Sequence, residues 1–130
     1  MSERCAVLLI QLGTPDKPEA GSVRKYLRQF LSDPRVVEIP KAIWWPILNG
    51  AILPTRPKKS AAKYAKIWAT DGSPLMIHTR AQATLLRGYA GDRGLDLDVA
   101  WAMRYGEPSI PTTLRKLREQ NVTRLLVVPM

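Results

Sequence analysis

The sequence predicts an α/β fold in which a parallel sheet is flanked by helices. Three observations carry this. A run apolar on both faces opens the chain, Cys5 to Leu12, and is closed by the turn residues Gly13-Thr14-Pro15-Asp16. Such a run reads as a strand covered on both sides. Two further strand patterns follow, Asp96 to Met103 and Arg124 to Met130, and helical periodicity separates the strands. Strands alternating with helices favour parallel pairing through right-handed crossovers.

After the first strand, Val23, Tyr26, Leu27, Phe30 and Leu31 recur at helical spacing opposite Arg24, Lys25 and Arg28. This predicts an amphipathic helix with Ser22 as N-cap, ended by Asp33-Pro34. Val36 to Ile39 is expected to be extended. Ala42 to Leu53 is apolar and uncharged, and Pro46 suits the first turn of a short helix. Lys58 to Trp68 reads as a helix with Tyr64, Ile67 and Trp68 on one side. Asp71-Gly72-Ser73-Pro74 is a turn, and Leu75 to Tyr89 a long helix closed by Gly91.

Asp96 to Met103 alternates, with Leu97, Val99, Trp101 and Met103 on one face. Arg104-Tyr105-Gly106-Glu107-Pro108 breaks that strand. A helix from Ile110 to Gln120 follows, with Leu114 and Leu117 inward, and then the third strand, read as core. Ligands of open parallel sheets bind outside the carboxyl ends of the strands. Here those ends are Leu12 to Pro15 and Met103 to Gly106. The sequence stops where a third such loop is expected, so the expectation is one domain over residues 1–130, an incomplete Rossmann-like half.

Composition narrows the function classes. A hydrophobic fraction of 45% and a charged fraction of 24% suit a folded globular chain. No apolar run reaches the ~18–20 residues of a membrane span. The N-terminus lacks the build of a secretory signal, and one cysteine cannot form an internal disulfide, which points to the cytoplasm. Twenty Lys and Arg against eleven Asp and Glu leave +9, an attraction for anions. The excess is dispersed along helices and no nucleic-acid reader motif occurs, so a nucleic-acid module is the weaker reading. There is no phosphate loop, no GxGxxG after the first strand and no cysteine pair for a metal. His78 is the only histidine, set in a helix beside Met76 and Ile77, and Cys5 opens a strand. No acid/base or metal constellation can be assembled, and no resident cofactor is evident.

Four segments carry a resemblance: Val7 to Pro15, Phe30-Leu31-Ser32-Asp33-Pro34-Arg35-Val36-Val37, Asp71-Gly72-Ser73-Pro74-Leu75, and Met103-Arg104-Tyr105-Gly106 with Pro108. In this order and spacing they resemble the N-terminal part of the ferrochelatases, and the branch that uses protoporphyrin more than the one that uses coproporphyrin. The resemblance implies two chelatase domains, each a four-stranded parallel sheet with helices, and a porphyrin in the cleft between. It implies insertion of Fe²⁺, as substrate, into protoporphyrin IX to give protoheme, by a cytoplasmic lyase that can touch the inner membrane face peripherally.

It also assigns porphyrin contacts. Leu12 would meet the macrocycle near the metal, and Gly13 and Thr14 would let the backbone approach. Trp44 and Ile47 belong to an apolar lip over the pocket. Arg56 would pair with a propionate, Tyr64 and Ser73 match substrate-contacting positions, and Arg104 and Tyr105 border the inner pocket in supporting roles. Each also has a plain structural reading: a core leucine, a turn, core aromatics, a solvated basic turn, a capping serine. The family's base and iron contact lie in the C-terminal half, so no catalytic or metal residue maps onto this chain, and alone it is expected to be inactive. A non-catalytic porphyrin binder and a chelatase for another tetrapyrrole are the remaining alternatives.

Overall fold

The computed structural model describes residues 3–130. It divides into two compact units, one of residues up to Gly13 together with Leu75–Met130, the other Thr14–Pro74.

The first unit holds the sheet. Strands β1 (Cys5–Gly13), β2 (Leu97–Tyr105) and β3 (Arg124–Pro129) pair in parallel, in the order β2-β1-β3. The predicted class is therefore the observed one. β1 sits in the centre because its apolar run has no polar face: Ala6, Val7, Leu8 and Leu9 are all buried. The chain steps from β1 to β2 in one direction and from β2 across β1 to β3 in the other. With right-handed crossovers, the connecting helices α4 (Pro74–Asp92) and α5 (Ile110–Glu119) fall on opposite faces. On the α4 face, Ala83 closes a core of Val7, Leu9 and Val99, with Leu86, Leu97, Trp101 and Val128 packed around it.

Both connecting helices end in the same way. Leu95 N–H reaches the Ala90 carbonyl at 2.8 Å and Gly94 N–H the Gly91 carbonyl at 3.0 Å. Val122 and Asn121 repeat this pattern on Leu117 and Arg118, at 3.1 and 3.0 Å. These are Schellman closures, which require a left-handed residue at the turn. Gly94 (φ 71°) and Asn121 (φ 63°) supply it.

The second unit is helical. α1 (Ala20–Leu31) packs on α3 (Leu53–Ile67), and Arg24 Nε donates to the Leu53 carbonyl at 3.2 Å. Between them run α2 (Lys41–Ile47) and a π-helical turn, Leu48–Ile52. Val23, Tyr26, Leu48, Leu53, Pro57 and Ala61 are the buried residues of these helices. The indole N–H of Trp44 donates to the Leu31 carbonyl at 2.7 Å, which ties α2 to the exposed carbonyls at the end of α1.

Several expectations are corrected. The first helix starts at Ala20, not after Ser22; Glu19 is its N-cap residue, extended and without a side-chain cap bond. Val36 to Ile39 is not a strand: the Val36 and Val37 N–H groups fold back on the Asp33 carbonyl at 2.9 and 3.1 Å. Pro46 lies inside α2 rather than in its first turn, and helix continues through the apolar segment, so α3 begins at Leu53 instead of Lys58. Proline removes one rung of the ladder, and the chain resumes with π spacing after Ile47. Gly91 is helical, and Gly94 is the closing glycine. Leu114 is 40% exposed, because the inward line of α5 is Thr113 and Leu117. Among the described residues β3 is an edge strand with Leu125, Leu126 and Val127 exposed, not the buried core strand expected.

Candidate functional site

In the first unit the candidate site is the carboxyl edge of the sheet. β1 and β2 each run further than the sequence pattern suggests, to Gly13 and Tyr105, and these two residues are a registered pair. Gly13 has φ 138°, a conformation that side chains disfavour. A Cβ built there would overlap the Tyr105 carbonyl oxygen. The two strand ends can therefore close only on a glycine.

Leu12 precedes this contact and is 43% exposed at the strand end. Arg104 is exposed, with its guanidinium 5.8 Å from the centre of the Tyr105 ring. Tyr105 is 4% exposed, so the ring is a buried platform beneath the cation. Behind it the loop turns back, and the Met103 N–H donates to the Pro108 carbonyl at 2.8 Å. The edge thus presents one aliphatic side chain, one unburied guanidinium and a close-packed backbone. This suits a ligand with an apolar face and an acidic substituent.

In the second unit, Thr14 follows Gly13 in sequence and is buried. Trp44 is half-buried and lines an open hollow of about 350 Å³ with Pro34, Val37, Ile39 and Pro40. Ile43, Trp45 and Ile47 on the same helix are exposed, Trp45 by 67%. Arg56 is exposed near the start of α3. Tyr64 stands edge-on to Trp68, ring centres 6.1 Å apart, and burial raises its pKa above the ordinary 10.0. Ser73 is buried immediately before α4, the position of an N-cap.

The structure thus brings Leu12, Gly13, Arg104 and Tyr105 together at one sheet edge, and sets Trp44, Ile47, Arg56 and Tyr64 on the α2–α3 segment. Among the described residues no group of three or more His, Cys, Asp or Glu is placed to hold a metal ion. No helix among them is long and apolar enough to cross a membrane. Sequence reasoning missed the cation–π pair, because strand alternation alone does not show that an exposed arginine lies over its buried neighbour.

A sequence model of the family described as Ferrochelatase matches residues 4–130. This chain belongs to the ferrochelatase family. Among its curated relatives, the ferrochelatase of Methylibium petroleiphilum is 58% identical over 129 residues, 99% of this chain and 36% of that protein. The ferrochelatase of Chromobacterium violaceum is 61% identical over 98% of this chain and 35% of its own length. That of Aromatoleum aromaticum is 60% identical, again over 98% and 35%. The chain spans about a third of the length of these ferrochelatases, and the match is to their N-terminal part.

Proposed function

We propose that this chain supplies porphyrin-binding wall and lip to a ferrochelatase that inserts Fe²⁺ into protoporphyrin IX, giving protoheme in haem biosynthesis. The observation that carries the reading is the ferrochelatase match over residues 4–130, in a chain whose Gly13 and Tyr105 close the sheet edge side by side.

Metal insertion requires a distorted macrocycle, a base for the two pyrrole protons and a path for the dehydrated ion. Distortion is driven by binding energy gained away from the reacting centre. In the first unit, Leu12 would press on the macrocycle face, and the close-packed Gly13–Tyr105 backbone would give a wall that does not yield. Arg104 would organise the hydrogen-bond network on the metal side. In the second unit, Trp44 and Ile47 would cover apolar macrocycle surface at about 25 cal/mol per Å². Arg56 would take a propionate in a two-pronged contact. Fe²⁺ is a substrate here; its contacts and the proton acceptor are assigned, by resemblance, to the part of the relatives beyond this chain. The exposed Ile43, Trp45 and Ile47 also support peripheral contact with the inner membrane face by an otherwise cytoplasmic protein.

Two measurements test this. Protoporphyrin IX titrated into the chain should lose fluorescence saturably, and Arg56→Ala should weaken the binding about tenfold, the loss of one charge-assisted pair. The dimethyl ester of the porphyrin should not distinguish wild type from variant. Absence of saturable quenching would remove the proposal. The chain by itself is expected to insert neither Fe²⁺ nor Zn²⁺ in a steady-state assay, and metalloporphyrin formation would refute that assignment of roles.

A further inference from the structure

Among the described residues β2 is an edge of the sheet. In a parallel strand, alternate residues direct both main-chain groups to opposite sides. The Met103 N–H donates away from β1, to the Pro108 carbonyl at 2.8 Å. The Val99 carbonyl accepts from Arg87 Nη2 at 2.7 Å. Trp101 lies between them in an unbroken register and shares their parity, so its N–H and C=O also point outward. Neither has a partner among the described residues. An exposed strand edge invites pairing, and here the flanking positions are already taken.

These groups face a groove of about 530 Å³ beside β2, lined by Arg4, Arg87, Trp101, Thr113, Lys116 and Gln120, among others. Its acid, Asp98, is neutralised by Arg4 at 2.7 Å. Arg4 also donates to the Gln120 carbonyl at 2.6 Å. Arg87 and Lys116 have no carboxylate within 4.0 Å among the described residues. The groove therefore keeps two cations without counter-charge, one from each helix, on either side of one main-chain donor and one main-chain acceptor. A simple anion answers the cations and the donor but leaves the Trp101 carbonyl unmet. A peptide unit answers both main-chain groups, and an acidic side chain answers the cations.

We propose that this groove binds a short, extended, acidic peptide segment. Its main chain pairs with Trp101, and its carboxylates meet Lys116 and Arg87. Because the Val99 carbonyl and Met103 N–H are occupied, the segment that fits is about three residues long, not a full added strand. None of the residues given a porphyrin role takes part, so this inference stands apart from the proposed chemistry.

The test is a two-dimensional NMR titration of the ¹⁵N-labelled full chain with acetyl-Val-Glu-Glu-amide at low salt, whose adjacent carboxylates point to opposite faces of the added strand, as Arg87 and Lys116 do. The Trp101 backbone amide should shift saturably. Lys116→Glu, an exposed change on α5, should weaken binding about tenfold by turning an attraction into a repulsion. Lys25→Glu, in the other unit, should not. Acetyl-Val-Lys-Lys-amide should leave Trp101 unmoved. The proposal is overturned if Trp101 does not shift, if Lys116→Glu binds equally well, or if pyrophosphate alone reproduces the shift. It also falls if Trp101 shifts with protein concentration alone, which would make a second copy of the chain the occupant.

Discussion

Gly13 shows how much can depend on one missing methyl group. Its positive φ and the Tyr105 carbonyl beside it leave no room for a side chain. Gly13→Ala should cost about 2–4 kcal/mol in urea unfolding, combining backbone strain with a clash against main chain that cannot rotate away. Tyr64 gives a second residue-scale expectation. Burial raises its pKa, so the folded state holds the phenolic proton more tightly than the unfolded state. The associated stability is whole below pH 10.0, the unfolded value, and is lost as pH rises through the higher folded value. Tyr64→Phe should therefore flatten the decline in unfolding midpoint as pH rises above 10.0, relative to wild type. Equal slopes in the two proteins would show that Tyr64 is not buried enough to matter.

At the scale of elements, helix closure is the readable lesson. α5 opens with the Ser109 side chain accepting from the Thr112 N–H at 3.3 Å, and it closes on Asn121 in the left-handed region. Asn121→Gly should hold or slightly raise the melting temperature. Asn121→Val should lower stability by roughly 1–2 kcal/mol, because a β-branched residue resists positive φ. Ser109→Ala should cost about 1 kcal/mol by leaving an N–H without its acceptor. A calorimetric scan of the three variants checks the order. The short helix α2 is a different case. Its apolar residues Ile43, Trp45 and Ile47 are exposed, so its sequence reports a surface in need of a partner rather than a core.

At the scale of the whole molecule, β3 is the exposed element. Among the described residues β3 forms one edge of the sheet, with Leu126 62% exposed and Val127 47%. Exposed apolar edge strands pair with other chains. The chain should associate as its concentration rises, and Leu126→Lys should move sedimentation profiles toward the monomer. If the variant and wild type sediment alike, the edge is not the site of association.

Much of this was legible in the sequence because the relevant interactions are local or periodic. The both-sided apolar run of β1 placed it in the sheet, the helical spacing of Val23, Tyr26 and Leu27 announced α1, and the four family segments identified the ferrochelatase likeness. What failed depended on partners distant in sequence. Gly91 and Gly94 look alike as letters, yet only the second adopts the left-handed conformation that closes α4. Leu114 and Leu117 both fit an inward pattern, but the sheet beneath α5 accepts only one of them.

The sequence by itself determined the three strands and the order of the main helices between them, the excess of positive charge and the family, because backbone preference and hydrophobic period act over a few residues. Tertiary structure alone decided that Gly13 meets Tyr105, that β1 lies between β2 and β3 and that Arg87 and Lys116 flank an open Trp101 main chain. Those facts arise from pairing between strands far apart in the chain, and no local pattern encodes which strand becomes whose neighbour.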